Sequence, residues 1–130
     1  MNFTLLLILT YILKFFYSLQ VGLVPDEAYY WTWSRNLDFS YYDQGPGVAL
    51  YIRFFTFFLG DTIYALRLAA NIAGLLTTLF LFRIADILEF TQKQKMFLFL
   101  FLIFIPAFFA GGFLIMHDSP LLLSWAGALY

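Results

Sequence analysis

The chain changes character at residues 24–35, which read VPDEAYYWTWSR. Two adjacent carboxylates, Asp26 and Glu27, follow Pro25 directly, and four aromatic residues come after them before the stretch ends at Arg35. Negative charge is favourable in the first turn of a helix because it opposes the helix dipole. Tryptophan and tyrosine prefer the headgroup layer of a bilayer. The stretch therefore predicts a short helix, from Asp26 to about Arg35, that lies on a membrane surface.

The composition is typical of an integral membrane protein. Apolar residues make up 63% of the 130 residues and charged residues 12%, against about 45–50% and about 25% in soluble domains. A soluble domain of this size has too little interior to bury so much apolar surface. The net charge of −1 gives no basic signal for nucleic acid, and the absence of cysteine excludes disulfides and thiolate metal sites. We therefore expect membrane lipids, and not nucleic acid, to be partners of the chain.

Long apolar runs predict an all-α fold of polytopic membrane helices, since roughly 20 residues cross the hydrocarbon core. The predicted spans are residues 3–24, 62–88, 96–115 and, as an incomplete span, 121–130. Pro106 is expected to kink the third span. The run from Val48 to Leu59 is too short to cross and predicts an interfacial or re-entrant helix. Because the fourth run stops at Tyr130, we expect these residues to be the N-terminal part of a longer protein.

Charge predicts the orientation of the loops. Lys93 and Lys95 lie in a short loop, which the positive-inside rule places in the cytoplasm. Counting spans from there places the loop of residues 25–60 and the turn at residues 117–119 outside. We therefore predict a multi-pass protein of the plasma (inner) membrane whose active face is external or periplasmic, with juxtamembrane helices in the first external loop.

The external face gathers the side chains that could carry chemistry. A carboxylate near a reacting hydroxyl can act as a general base, and arginine matches the geometry of phosphate. No glycine-rich phosphate loop is present, which disfavours a soluble nucleotide substrate. Simpler roles remain open: Asp26 and Glu27 fit a helix N-terminus, Asp118 fits a helix cap, and Arg67 fits an interfacial anchor.

Two further residues have open roles from the sequence. Lys14 lies near the middle of the first span, where a charge faces a bundle interior or a water-filled cavity, or snorkels to the interface. His117 precedes Asp118 but has no second histidine at helical spacing, which favours a structural or solvated role over a metal ligand.

Four motifs resemble one family of enzymes. They are PDEAYYWTWS at 25–34, YYDQGP at 41–46, GDTIYALRL at 60–68 and DSPLLLSWAGALY at 118–130. In this order they resemble the N-terminal half of the GT-C fold polyprenyl-phosphate-sugar transferases of glycosyltransferase families 39 and 83. These include protein O-mannosyltransferases, lipid A aminoarabinose transferases and Rgt-type galacturonosyltransferases. The chain departs from the family's D-x-P-P-L pattern at residues 43–47, which read DQGPG.

The resemblance implies roles for particular residues. Asp26 takes the position of the family's catalytic base, Glu27 orients it or binds substrate, and Asp118 takes the second acidic position, which positions the acceptor or the base. The residues implied in substrate binding are Tyr29, Tyr30, Asp43, Arg67 and Lys14, and Lys14 would contact the carrier phosphate.

Together these features predict an inverting glycosyltransferase. It would move a sugar from a polyprenyl-phosphate donor to a lipid, glycan or protein acceptor on the outer face of the membrane. No cofactor is predicted, although a divalent metal is compatible with the family. Two alternatives stay open: a transporter or channel subunit with Lys14 and the acidic turns on an ion path, and a non-catalytic membrane scaffold.

Overall fold

A computed structural model describes residues 3–130, which form seven helices and no strand. The helices are α1 (Phe3–Ser18), α2 (Pro25–Arg35), α3 (Gly47–Leu59), α4 (Ile63–Ile87), α5 (Gln92–Phe104), α6 (Pro106–Gly111) and α7 (Asp118–Leu129). The predicted all-α class is confirmed. By length and composition α4 is able to cross a membrane, while α1 and α3 are apolar but shorter.

Helix α4 is the centre of the fold, because α1, α3, α5, α6 and α7 all pack against it. Small residues let its neighbours approach closely. Ala65, Ala69 and Ala73 are completely buried. At Gly74 a methyl group would lie 3.0 Å from the backbone of Gly112 and 2.9 Å from the Tyr11 ring, so α1, α4 and the end of α6 meet at this glycine.

The apolar core has two parts along α4. Near the start of α4, residues of α2 and α3 pack on it, with Trp33, Ile52 and Leu66 in one buried cluster. Toward the other end of α4, Leu7 of α1 packs with Phe82 and with residues of α5 in a second cluster. The first cluster lies directly under the acidic stretch and fixes the position of α2.

Two predicted spans differ from the helices observed. The first run is helical only to Ser18, and the carbonyls of Val21 and Gly22 instead accept hydrogen bonds from Arg67 at 3.1 and 2.9 Å. The third run divides into α5 and α6 before Pro106, because proline lacks the amide hydrogen and its ring disfavours helical backbone in the preceding residue. The predicted kink is therefore a break between two helices.

The turn between α4 and α5 carries an ion pair. Lys95 of α5 contacts the carboxylate of Asp86 in α4. Thr91 caps α5 and accepts a hydrogen bond from the Gln94 amide at 3.4 Å. The loop is thus closed by contacts between the two helices that it joins.

Candidate active site

Glu27 and Arg67 form a buried ion pair beneath the start of α2. Both side chains are 0% exposed. Arg67 Nη1 donates to Glu27 Oε1 and to the Phe113 carbonyl, the latter at 3.2 Å. Glu27 Oε1 also accepts from the Ile115 amide at 2.9 Å, and Oε2 accepts from the Val24 amide at 3.3 Å. Both carboxylate oxygens of Glu27 are therefore occupied by protein groups.

The remaining donors of Arg67 join further segments. Nη2 donates to the carbonyls of Val21 and Gly22. Nε has no hydrogen-bond partner among the described residues. The sequence had suggested that Arg67 binds substrate or anchors the helix at the interface. The structure places it inside the protein, where it holds together α4, the chain before α2 and the chain before α7.

Asp26 is exposed although its neighbour Glu27 is buried. Successive residues of an α-helix project about 100° apart, so the two adjacent carboxylates point in different directions. Asp43 and Asp118 are also exposed, the latter with 62% of its side chain accessible. Of the adjacent pair, Asp26 is the carboxylate that a substrate can reach.

Tyr30 lies among three acidic segments. Burial raises the pKa of Tyr30, and the negative charges of Asp26, Asp43 and Asp118 raise it further. The phenol therefore stays protonated. Its oxygen lies 3.1 Å from Nδ1 of His117.

His117 continues this arrangement toward the second acidic turn. Its Nε2 lies 3.1 Å from Asp118 Oδ1. Sequence reasoning treated His117 as structural or solvated. The one signal that could have singled it out is its position immediately before Asp118.

Aromatic packing supports this arrangement. The ring centres of Trp33 and Tyr41 are 4.3 Å apart, and the rings stack with an interplanar angle of 6°. The ring centre of Tyr29 lies 4.4 Å from that of Trp33, and these two rings are tilted against each other. The Tyr41 hydroxyl donates to the Trp33 carbonyl at 3.0 Å. Tyr30 and Trp33 are buried in the core, so these two rings belong to the protein interior. Tyr29 remains 43% exposed beside Asp26.

Lys14 lies at the junction of α1, α4 and α6. Its ammonium is 4.9 Å from the centre of the Tyr11 ring and 5.1 Å from that of Phe109, which are cation–π distances. With Tyr11 and Thr78 it lines a cavity of about 10 Å³, and the hydroxyls of those two residues are 2.8 Å apart. Such a volume is about the minimum that holds one water molecule.

Residues 116–120 contribute to two larger cavities. One, of about 430 Å³, is mainly apolar and is lined by Gly74, Phe108 and Leu122, with Asp118 also in its wall. The other is a cleft of about 560 Å³ between α7 and the start of α3, and its lining includes the polar side chains of Gln44 and His117. Within residues 3–130, no group of three or more histidine or acidic side chains lies close enough to share a metal ion.

Comparison with known proteins identifies the class. The profile of the dolichyl-phosphate-mannose-protein mannosyltransferase family matches residues 43–130, and the chain belongs to this family. The matched region includes Arg67 and Asp118 and begins at Asp43.

One similar protein is a bacterial enzyme. The lipid A galacturonosyltransferase RgtD of Rhizobium johnstonii is 41% identical over 61 residues, which cover 46% of this chain and 13% of the relative. The chain thus matches only a small part of that protein's length. No solved structure matches the chain significantly. The resemblance seen in the sequence motifs is confirmed.

Proposed function

We propose that this chain carries the catalytic carboxylate of an inverting membrane glycosyltransferase that uses a polyprenyl-phosphate sugar donor on the outer face of the membrane. The observation that carries the proposal is the different fate of two adjacent acids. Glu27 is buried against Arg67, whereas Asp26 is exposed, and its charge acts on Tyr30 together with those of Asp43 and Asp118. A base must reach its substrate, and only Asp26 of this pair is accessible.

The proposed reaction is a single displacement. Asp26 accepts the proton of an acceptor hydroxyl while the hydroxyl oxygen attacks the anomeric carbon. The bond from that carbon to the phosphate oxygen breaks, and the polyprenyl phosphate leaves with the bonding electron pair. The sugar is transferred with inversion. A base placed within hydrogen-bond reach contributes typically about 10²–10⁴-fold to such a rate.

In this proposal Glu27 and Arg67 hold Asp26 in place and do not contact the substrate. The guanidinium of Arg67 already donates to four protein oxygens. The negative charge of the leaving phosphate is therefore assigned to cations other than Arg67. Tyr29 and Asp43 remain proposed contacts for the sugar or the acceptor, since both are exposed beside Asp26 or Tyr30.

The two cavities suggest where the ends of the substrates lie. The mainly apolar cavity of about 430 Å³ suits hydrocarbon, and Asp118 lines it together with Ser119. The cleft of about 560 Å³ that contains Gln44 and His117 suits a hydroxyl-bearing group. We assign the isoprenoid end of the donor to the first and the acceptor to the second.

The transporter alternative depends on Lys14. Its ammonium packs against two aromatic rings, and the cavity beside it holds about one water molecule. This packing favours an anchoring role over a position on an open ion path. Flux through liposomes that is lost in Lys14→Ala, without any lipid-linked sugar, would support the alternative.

The test uses the full-length protein in lipid with a panel of polyprenyl-phosphate sugars and reads out the modified lipid, glycan or protein. The matched control for Asp26→Asn is Asp38→Asn, which alters another exposed carboxylate of the same loop. We expect transfer by the wild type and by Asp38→Asn, and a loss of at least about 100-fold in Asp26→Asn. Equal rates for the two variants would exclude Asp26 as the base.

A further inference from the structure

His117 connects two groups that the sequence places far apart. The Tyr30 oxygen is 3.1 Å from Nδ1, and Asp118 Oδ1 is 3.1 Å from Nε2. A neutral imidazole satisfies both contacts if Nδ1 accepts from the phenol and Nε2–H donates to the carboxylate. This tautomer follows from the hydrogen-bond network.

The two partners of the imidazole, Tyr30 and Asp118, differ in the conformational freedom of their side chains. Tyr30 is only 7% exposed, and its ring packs edge-to-face on Trp33 at 5.2 Å. The Asp118 side chain is 62% exposed. A carboxylate so exposed loses rotamer freedom only when a neighbour holds it. The fixed end of the chain of hydrogen bonds is therefore Tyr30, and the end that gains order is Asp118.

A second connection runs parallel to the first. Glu27 and Tyr30 are three residues apart and lie on the same face of α2. Glu27 accepts from the Ile115 amide at 2.9 Å, and Tyr30 reaches His117 two residues further along. One face of α2 thus holds the segment 115–117 in two ways. Glu27 binds the backbone of Ile115, and Tyr30 contacts the side chain of His117.

We infer that His117 is a positioning residue: it takes its orientation from Tyr30 and holds the Asp118 carboxylate in the place where the second acidic group acts during glycosyl transfer. The inference rests on the proposed function for its catalytic consequence. The imidazole lines the cleft assigned to the acceptor, whereas Asp118 lines the cavity assigned to the isoprenoid end of the donor, so the contact between the two side chains joins the walls of the two cavities.

The first experiment compares three substitutions in the full-length protein. The amide nitrogen of His117→Gln can replace Nε2 and keep the donor to Asp118, whereas His117→Asn reaches only the Nδ1 position and His117→Ala removes both. We expect Asn and Ala to lower kcat by about 10- to 100-fold, the value of a hydrogen bond to a charged group, with little change in KM for the donor. Gln should restore most of kcat. Equal loss in all three variants, or none, would overturn the inference.

The second experiment does not depend on activity. Selective ¹⁵N labelling of histidine in the full-length protein gives imidazole nitrogen signals, and the pair that is missing in His117→Gln belongs to His117. At alkaline pH, where imidazole is neutral, we expect the Nε2–H form in the wild type and a shift toward mixed tautomers in both Tyr30→Phe and Asp118→Ala. Identical spectra in the wild type and both variants would exclude the linkage. Absence of transfer with every donor would instead count against the proposed function, and the tautomer would still decide whether His117 joins the two groups.

Discussion

Arg67 and Glu27 are 40 positions apart in the chain, yet their side chains form an ion pair from which solvent is completely excluded. The guanidinium and the carboxylate together contact the segments at residues 21–24 and 113–115. This pair fixes the first acidic segment relative to the turn that carries Asp118. Its removal should disturb the fold, whereas removal of the neighbouring Asp26 should disturb only the chemistry.

Arg67→Met should destabilise the protein strongly. Loss of one partner leaves the carboxylate of Glu27 buried without its counter-charge, which typically costs about 3–5 kcal/mol. Reversible unfolding in detergent measures the difference. Arg53→Met is the control, since Arg53 is exposed on α3, and should change stability by about 0.5 kcal/mol or less. Equal stability of the two variants would show that the buried pair does not hold the fold together.

Substitutions of the two adjacent acids should cause different kinds of defect. Asp26→Asn should retain the unfolding midpoint of the wild type, because the side chain is exposed, while its transfer rate falls at least about 100-fold. Glu27→Gln should lower the midpoint, because a neutral amide replaces the counter-charge of buried Arg67. The check is to measure unfolding and transfer on the same preparations. A stable, inactive Glu27→Gln would transfer the catalytic role to Glu27.

Gly74→Ala should destabilise the junction of α1, α4 and α6. The added methyl group would lie 2.9 Å from the Tyr11 ring and 3.0 Å from the Gly112 backbone, closer than side chains tolerate. Overpacking of this kind typically costs about 1–3 kcal/mol. Gly111→Ala is the matched control, because a methyl group there meets nothing within 4 Å. Thermal unfolding should separate the two variants, and a Gly74→Ala protein as stable as Gly111→Ala would refute the close approach.

The predicted orientation can be tested in a cysteine-free background, since the chain contains no cysteine. Tyr42 is 99% exposed in the first loop, and Lys93 is exposed in the first turn of α5, next to the loop that is predicted to be cytoplasmic. The reagent is a maleimide that passes the outer membrane but not the inner membrane. In intact cells it should label Tyr42→Cys, and it should label Lys93→Cys only after lysis. The positive-inside rule is the reason. Labelling of Lys93→Cys in intact cells with protection of Tyr42→Cys would reverse the topology.

Local features of the sequence predicted helices well. Pro25, followed by two acids, begins α2, and the predicted end at Arg35 is the observed one. Thr62 caps α4 by accepting from the Ala65 amide at 3.3 Å. These features depend on neighbours within one or two turns, so spacing reveals them. The end of α1 at Ser18 could not be read in this way, because the carbonyls that follow turn toward Arg67 of another helix.

The candidate site likewise has local features, which the sequence predicts, and contacts between distant residues, which it does not predict. The sequence identified the family, and it predicted Asp26, Glu27 and Asp118 as site residues. It did not distinguish which acid of the adjacent pair faces outward, and it gave Arg67 and His117 other roles. Their partners are far away in the chain: Ile115 is 88 positions from Glu27, and His117 is 87 positions from Tyr30. Helical spacing carries no information about contacts at such distances.

By itself the sequence determined the class of fold and the family. Composition, apolar run length and capping residues act locally or in aggregate, and each can be read without knowing what packs against it. Only the tertiary structure decided that Glu27 is buried and Asp26 is exposed. Burial of a charge requires an opposite charge and hydrogen-bond donors at the same point, and here Arg67, Val24 and Ile115 come together there only when the helices pack.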